Sequence, residues 1–133
     1  MPRIQSINGI APMAQYTIYH NPRCSKSRQT LSLLQEHGIE PEVIKYLETP
    51  PDADTVRGLV GKLGLARAHD LVRAKEAEYR EAGLTPDADD ETVIQAIARY
   101  PKLLERPVVV KGDRAVLGRP PENVREFIDK KAP

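Results

Sequence analysis

The sequence predicts a single α/β domain with a mixed sheet: a strand–helix–strand unit first, helices through the middle, then a hairpin and a last helix. Three observations carry this. Tyr16-Thr17-Ile18-Tyr19 is short and rich in β-branched and aromatic residues, as strands are. Leu31 and Leu34 recur at helical spacing between that strand and a second apolar run at Val43-Ile44. Gly112-Asp113, flanked by Val108-Val109-Val110 and Ala115-Val116-Leu117, is a strong hairpin signal.

Residues 1–14 are set aside as an N-terminal extension, open to disorder, because Met13 directly precedes the first patterned segment and is an alternative start. Residues 15–130 are read as the domain. After the first strand, Asn21-Pro22 marks a turn. A helix follows over residues 25–37, closed by Gly38 at its C′ position. Residues 42–46 form the second strand, and a helical crossover makes the two strands parallel. Thr49-Pro50-Pro51-Asp52 leads into a helix ending near Leu63, with Gly64 as its stop. Short helices are expected over residues 67–72 and 75–82, the latter stopped by Gly83. Val93, Ile94 and Ile97 share one face of a helix over residues 90–100, which ends before Pro101. Pro120-Pro121-Glu122 opens the final helix, which runs through Ile128. This order is that of a thioredoxin-like fold with a helical insertion.

Composition narrows the functional classes. A net charge of +1 gives no broad basic field, so neither nucleic acid nor an anionic membrane is an expected partner. Any anion must therefore be held by a local group of cations. No apolar run approaches the ~20 residues that span a bilayer. Residues 1–15 contain no continuous apolar run of about 7–15 residues, so no signal peptide is expected. The single cysteine excludes an internal disulfide framework. A cytoplasmic monomer is the expectation. One cysteine and three scattered histidines do not suggest a zinc site, and no bound cofactor is expected.

Cys24 falls between the first strand and the first helix, among Asn21, Pro22, Arg23, Ser25 and Lys26. A lone cysteine is commonly a small buried hydrophobe, but these neighbours are polar and cationic and point to a reactive thiol. A thiol of pKa about 8.5 is only ~3 per cent ionised at pH 7. Reaching ~75 per cent needs a pKa near about 6.5, or ~2.7 kcal/mol of preference for the thiolate. A helix N-terminus supplies ~0.3–1 kcal/mol, so hydrogen bonds from Ser25, Ser27 or backbone N–H groups and a nearby cation must supply the rest. His20 and Arg28 are the local candidates. His20 is equally suited to hydrogen-bond the turn at Asn21, and Arg28 to form a surface ion pair.

Tyr19-His20-Asn21-Pro22-Arg23-Cys24-Ser25-Lys26-Ser27-Arg28 resembles the active-site segment of the glutaredoxin-dependent ArsC family, approximately Y-H-N-P-x-C-x-x-S-R. Tyr46-Leu47-Glu48-Thr49-Pro50-Pro51, Glu105-Arg106-Pro107 and Gly118-Arg119-Pro120-Pro121 are similar to that family in the same order. Arg23, the Ser25-Lys26 pair and the chain length resemble a shorter ArsC-like subgroup. The resemblance implies a thioredoxin-like fold and reduction of arsenate to arsenite, with glutathione as co-substrate and glutaredoxin as partner. It also implies three arginines around the cysteine, which fall on Arg73 (in Leu71-Val72-Arg73), Arg106 and Arg119, and a cis Pro107 beside Cys24.

The resulting expectation is catalysis by Cys24, His20, Arg73, Arg106 and Arg119, with the three arginines, Ser27 and Arg28 binding substrate. Arginine suits this task because its planar fork of donors matches the oxygens of a tetrahedral anion. Each arginine also has a plain structural alternative: Arg73 as an exposed helix residue, Arg106 or Arg119 as a partner for a carboxylate. Three rival functions compete with this reading. A phosphatase-like C-x5-R loop is excluded because position 30 is Thr. An Spx-like polymerase-binding regulator shares the fold but usually carries Cys-x-x-Cys, and position 27 is Ser. A glutathione-linked thiol protein with a different substrate is the remaining alternative. With no second cysteine, any mixed disulfide at Cys24 must be resolved by an external thiol.

Overall fold

Strand β1 (Tyr16–His20) is one of the two inner strands of a four-stranded sheet. The computed structural model describes residues 16–129, so the N-terminal extension expected over residues 1–14 lies outside the described residues. The chain divides into two compact units, the first formed by residues up to 44 with those from 106 onward, the second by Lys45–Glu105.

In the first unit, β1 is flanked by β2 (Glu42–Lys45) and β3 (Val108–Lys111), and β4 (Arg114–Leu117) completes a mixed sheet of order β2-β1-β3-β4. β1 and β3 are antiparallel with Ile18 opposite Val109, and β3 and β4 are antiparallel with Lys111 opposite Arg114. That register leaves Gly112-Asp113 as a two-residue turn, and Gly112 takes the positive φ of +64° that such a turn requires. Helix α1 (Ser25–Glu36) ends as expected: Gly38 has φ +78°, and the Ile39 N–H returns to the Leu34 carbonyl at 3.0 Å. Its buried stripe is Ser27, Thr30 and Leu34, so the buried face is polar toward the N-terminus, while Leu31 is only half-buried. Tyr16, Ile18, Leu34, Ile39 and Val109 form one core with Val124, Phe127 and Ile128 from the C-terminal segment. That segment starts differently from the expected continuous helix. A 3-10 turn at Pro121–Val124 precedes α5 (Arg125–Asp129), and the Asn123 N–H bonds the Pro120 carbonyl at 3.0 Å, three residues back.

The second unit holds α2 (Ala53–Leu63), a 3-10 turn at Ala68–Leu71, α3 (Ala77–Glu81), α4 (Asp90–Arg99) and a 3-10 turn at Pro101–Leu103. The helix expected over residues 67–72 is therefore one 3-10 turn, too short to establish the α ladder. Asp52 and Asp89 cap α2 and α4, accepting from the Thr55 and Thr92 N–H groups at 2.8 Å each. Val56 and Leu59 of α2 and Val93, Ile94 and Ile97 of α4 are buried. Val72 forms an antiparallel bridge with Leu104, and the Arg73 N–H donates to the Leu103 carbonyl at 2.7 Å. No helix among the described residues is long and apolar enough to cross a membrane.

Candidate active site

The loop leaving β1 wraps onto the start of α1 because Asn21 uses three groups at once. Its carbonyl accepts from the Cys24 N–H at 3.0 Å, its Oδ1 accepts from the Arg23 N–H at 3.0 Å, and its own N–H donates to Ser27 Oγ at 3.3 Å. Arg28 Nη1 reaches back to the Pro22 carbonyl at 2.9 Å. These bonds set Cys24 as the N-cap of α1, with extended backbone (φ −94°, ψ 124°) and its carbonyl accepting the Arg28 N–H at 3.0 Å. Its side chain is half-buried.

Burial raises the Cys24 pKa, but the opposing groups win and the thiol is held below its ordinary value. In order of weight these are the Ser27 N–H, the Arg106 charge, the Lys26 N–H and the Ser27 hydroxyl. Helix N-terminal N–H groups carry partial positive charge and have no partner within the helix, so an anion at the N-cap is favoured. The neutral thiol makes no cap hydrogen bond of its own; these donors favour the ionised form.

Arg106 stands two residues before β3, and the Arg106–Pro107 peptide is cis, as expected. The Arg119–Pro120 peptide is cis as well, which sequence reading did not anticipate. Arg119 is exposed, and its Nη1 donates to the Arg106 carbonyl at 3.2 Å. The structure therefore brings Cys24, Ser27, Arg106 and Arg119 together in the first unit. Ser27, expected on the substrate, has its oxygen between the Asn21 N–H and the thiol. Arg28, also expected on the substrate, holds the loop through Pro22. His20 is buried at the end of β1, directly before Asn21. Arg73 belongs to the second unit, where its guanidinium pairs with Glu76 at 2.8 Å. Among the described residues no three His, Cys, Asp or Glu side chains gather as a metal ion would require.

Three further residues shape the site. Gly118 donates its N–H to the Pro107 carbonyl at 2.9 Å and receives a bond from Thr30 Oγ1 at 3.4 Å. A Cβ at Gly118 would lie 2.5 Å from Thr30 Oγ1 and 2.8 Å from Pro107 Cγ, so only glycine fits. Asn123 Nδ2 donates to the Leu117 and Arg119 carbonyls at 3.0 and 3.1 Å.

Fold and site together define a thioredoxin-like domain carrying one acidified thiol at a helix N-terminus. The ArsC family model matches residues 19–127, and the chain belongs to that family. It is 50% identical to an arsenate reductase of Neisseria meningitidis over 87% of this chain and 100% of that one. It is 54% identical to the Escherichia coli protein described as uncharacterized protein YfgD, over 86% of this chain and 97% of that one. The structure of an arsenate reductase from Vibrio cholerae superposes with a TM-score of 0.80 at 48% identity, covering 85% of this chain and 98% of the other.

Proposed function

We propose that this chain is an arsenate reductase that uses the Cys24 thiolate, glutathione and glutaredoxin. The observation that carries the reading is the lowered Cys24 pKa beside Arg106, in a chain half identical to proteins named for that activity. Arg106 and the exposed Arg119 guanidinium hold the oxyanion and offset its charge. The Cys24 sulfur attacks arsenic(V); a sulfur–arsenic bond forms and one arsenate oxygen, protonated, leaves as water.

A glutathione thiolate then attacks the Cys24 sulfur. The sulfur–arsenic bond breaks with its electron pair passing to arsenic, which leaves as arsenite, two electrons reduced. The two sulfurs, each oxidised by one electron, remain as a Cys24–glutathione disulfide. A glutaredoxin thiolate takes the glutathione sulfur and releases Cys24 as thiolate. The cycle consumes glutathione, so a reducing cytoplasm is the compartment that fits it.

The test is arsenate-dependent NADPH oxidation coupled through glutathione, glutaredoxin and glutathione reductase. Wild type is expected to turn over and Cys24→Ser to be inactive. No turnover by wild type at saturating arsenate overturns the assignment.

A further inference from the structure

Three consecutive carbonyls, starting at the last residue of β4, are held by side chains from other elements. Asn123 Nδ2 takes the carbonyls of Leu117 and Arg119, and Thr30 Oγ1 takes that of Gly118 between them. The strand has ended at Leu117, so sheet hydrogen bonding no longer dictates the path of residues 118–120. Yet this is where the chain must place Arg119, whose Nη1 lies on the Arg106 carbonyl. The Asn123 amide has two N–H donors, and one nitrogen bridges the residue before Gly118 and the residue after it. That bridge fixes the backbone on both sides of the turn from which the Arg119 side chain leaves.

We propose that Asn123 is a positioning residue for the oxyanion site, holding residues 117–119 so that the Arg119 guanidinium stays on the Arg106 carbonyl. This rests on Arg119 being an oxyanion ligand, as in the proposed function. Asn123 does not touch the anion. It acts on affinity through Arg119, while the groups that acidify the thiol, the Ser27 and Lys26 N–H groups, Arg106 and the Ser27 hydroxyl, remain in place without it.

The test reads anion binding without turnover. Iodoacetamide alkylation of Cys24, the chain's single cysteine, is followed with rising inorganic sulfate, an unreactive tetrahedral anion. The sulfate concentration that halves the rate is measured for wild type, Asn123→Asp, Asn123→Ala, Asn123→Gln and Arg119→Ala. Asn123→Asp keeps the shape and removes both donors but adds a carboxylate charge that itself repels an anion, so Asn123→Ala, which removes the donors without adding charge, carries the reading. Both are expected to raise that concentration about ten-fold, close to Arg119→Ala, the loss of about one charge-assisted contact. Asn123→Gln, which keeps the donors, recovers most of the affinity. The pH midpoint of alkylation without sulfate stays at the wild-type value in Asn123→Ala and Asn123→Gln, which add no charge.

Unchanged half-protection in Asn123→Ala, with Arg119→Ala weakened, overturns the inference. So does a shifted alkylation midpoint in Asn123→Ala, which marks a general disturbance of the site. Unchanged protection in Arg119→Ala, or no sulfate protection of wild type, removes the oxyanion role of Arg119 and the inference with it. The NADPH-coupled assay judges the reductase reading separately.

Discussion

The Arg106 guanidinium, at the entrance to β3, acts through its charge on the Cys24 thiol at the N-cap of α1. Arg106→Ala is therefore expected to move the pH midpoint of Cys24 alkylation upward, toward the ordinary thiol range. Below the midpoint, each unit by which the pKa rises is about a ten-fold fall in thiolate, and the alkylation rate at pH 7 falls with it. Arg106→Lys keeps the charge and should hold the midpoint near wild type. A midpoint that stays put in Arg106→Ala would take that arginine out of the electrostatics of the thiol.

The front of this site was legible because its determinants are local. Cys24 is placed by a strand, an Asn-Pro turn and a helix start that are contiguous in sequence, and Gly38, Gly64 and Gly112 stand at positive φ where the pattern ends each element or turns the hairpin. The back of the site was not legible. Thr30 meets Gly118 across 88 positions, and nothing near Thr30 distinguishes it from another polar residue of α1. Asn123 lies where Pro120-Pro121 suggested a regular helix, yet its side chain serves the loop before it. Ser27 and Arg28, expected on the substrate, also bond the Asn21–Cys24 turn, which needs partners for its own backbone, a role that sequence alone does not display.

The caps of α2 and α4 set an acid limit on the second unit. The Thr55 N–H and hydroxyl hold Asp52, and the Thr92 hydroxyl and N–H hold Asp89, below the usual carboxylate range. A carboxylate whose folded pKa is depressed stabilises the fold above its unfolded pKa of about 3.9, and that contribution is lost as pH falls through the folded value. The Asp52→Ala/Asp89→Ala double variant should melt below wild type at pH 7, with the difference closing below about pH 4. Thermal melts across that range measure it; a gap that widens in acid contradicts the cap assignment.

Gly118 has no room for a methyl group. Gly118→Ala must displace Thr30, Pro107 or its own backbone. Overpacking of this kind costs ~1–3 kcal/mol, read as a lower urea midpoint. Adding Thr30→Ala removes both Thr30 contacts and should return part of the loss, with the Pro107 contact remaining. If Gly118→Ala is as stable as wild type, the close approach is not part of the native packing.

Arg28 separates two roles that sequence alone leaves joined. As an oxyanion ligand, it would lose substrate affinity on truncation, by roughly ten-fold or more for a charge-assisted contact. As the clamp seen here, its Nη1 donates to the Pro22 carbonyl at 2.9 Å, and its loss releases the turn that carries Cys24. The second role predicts that Arg28→Ala leaves the half-protecting sulfate concentration within about two-fold of wild type, since the main binding cations are intact. It also predicts faster amide exchange at Arg23 and Cys24, because their N–H groups bond an Asn21 that is no longer tied down from Pro22. Hydrogen exchange and sulfate protection on the same variant distinguish the two. Weakened protection with unchanged exchange returns Arg28 to the substrate; the reverse keeps it as part of the loop.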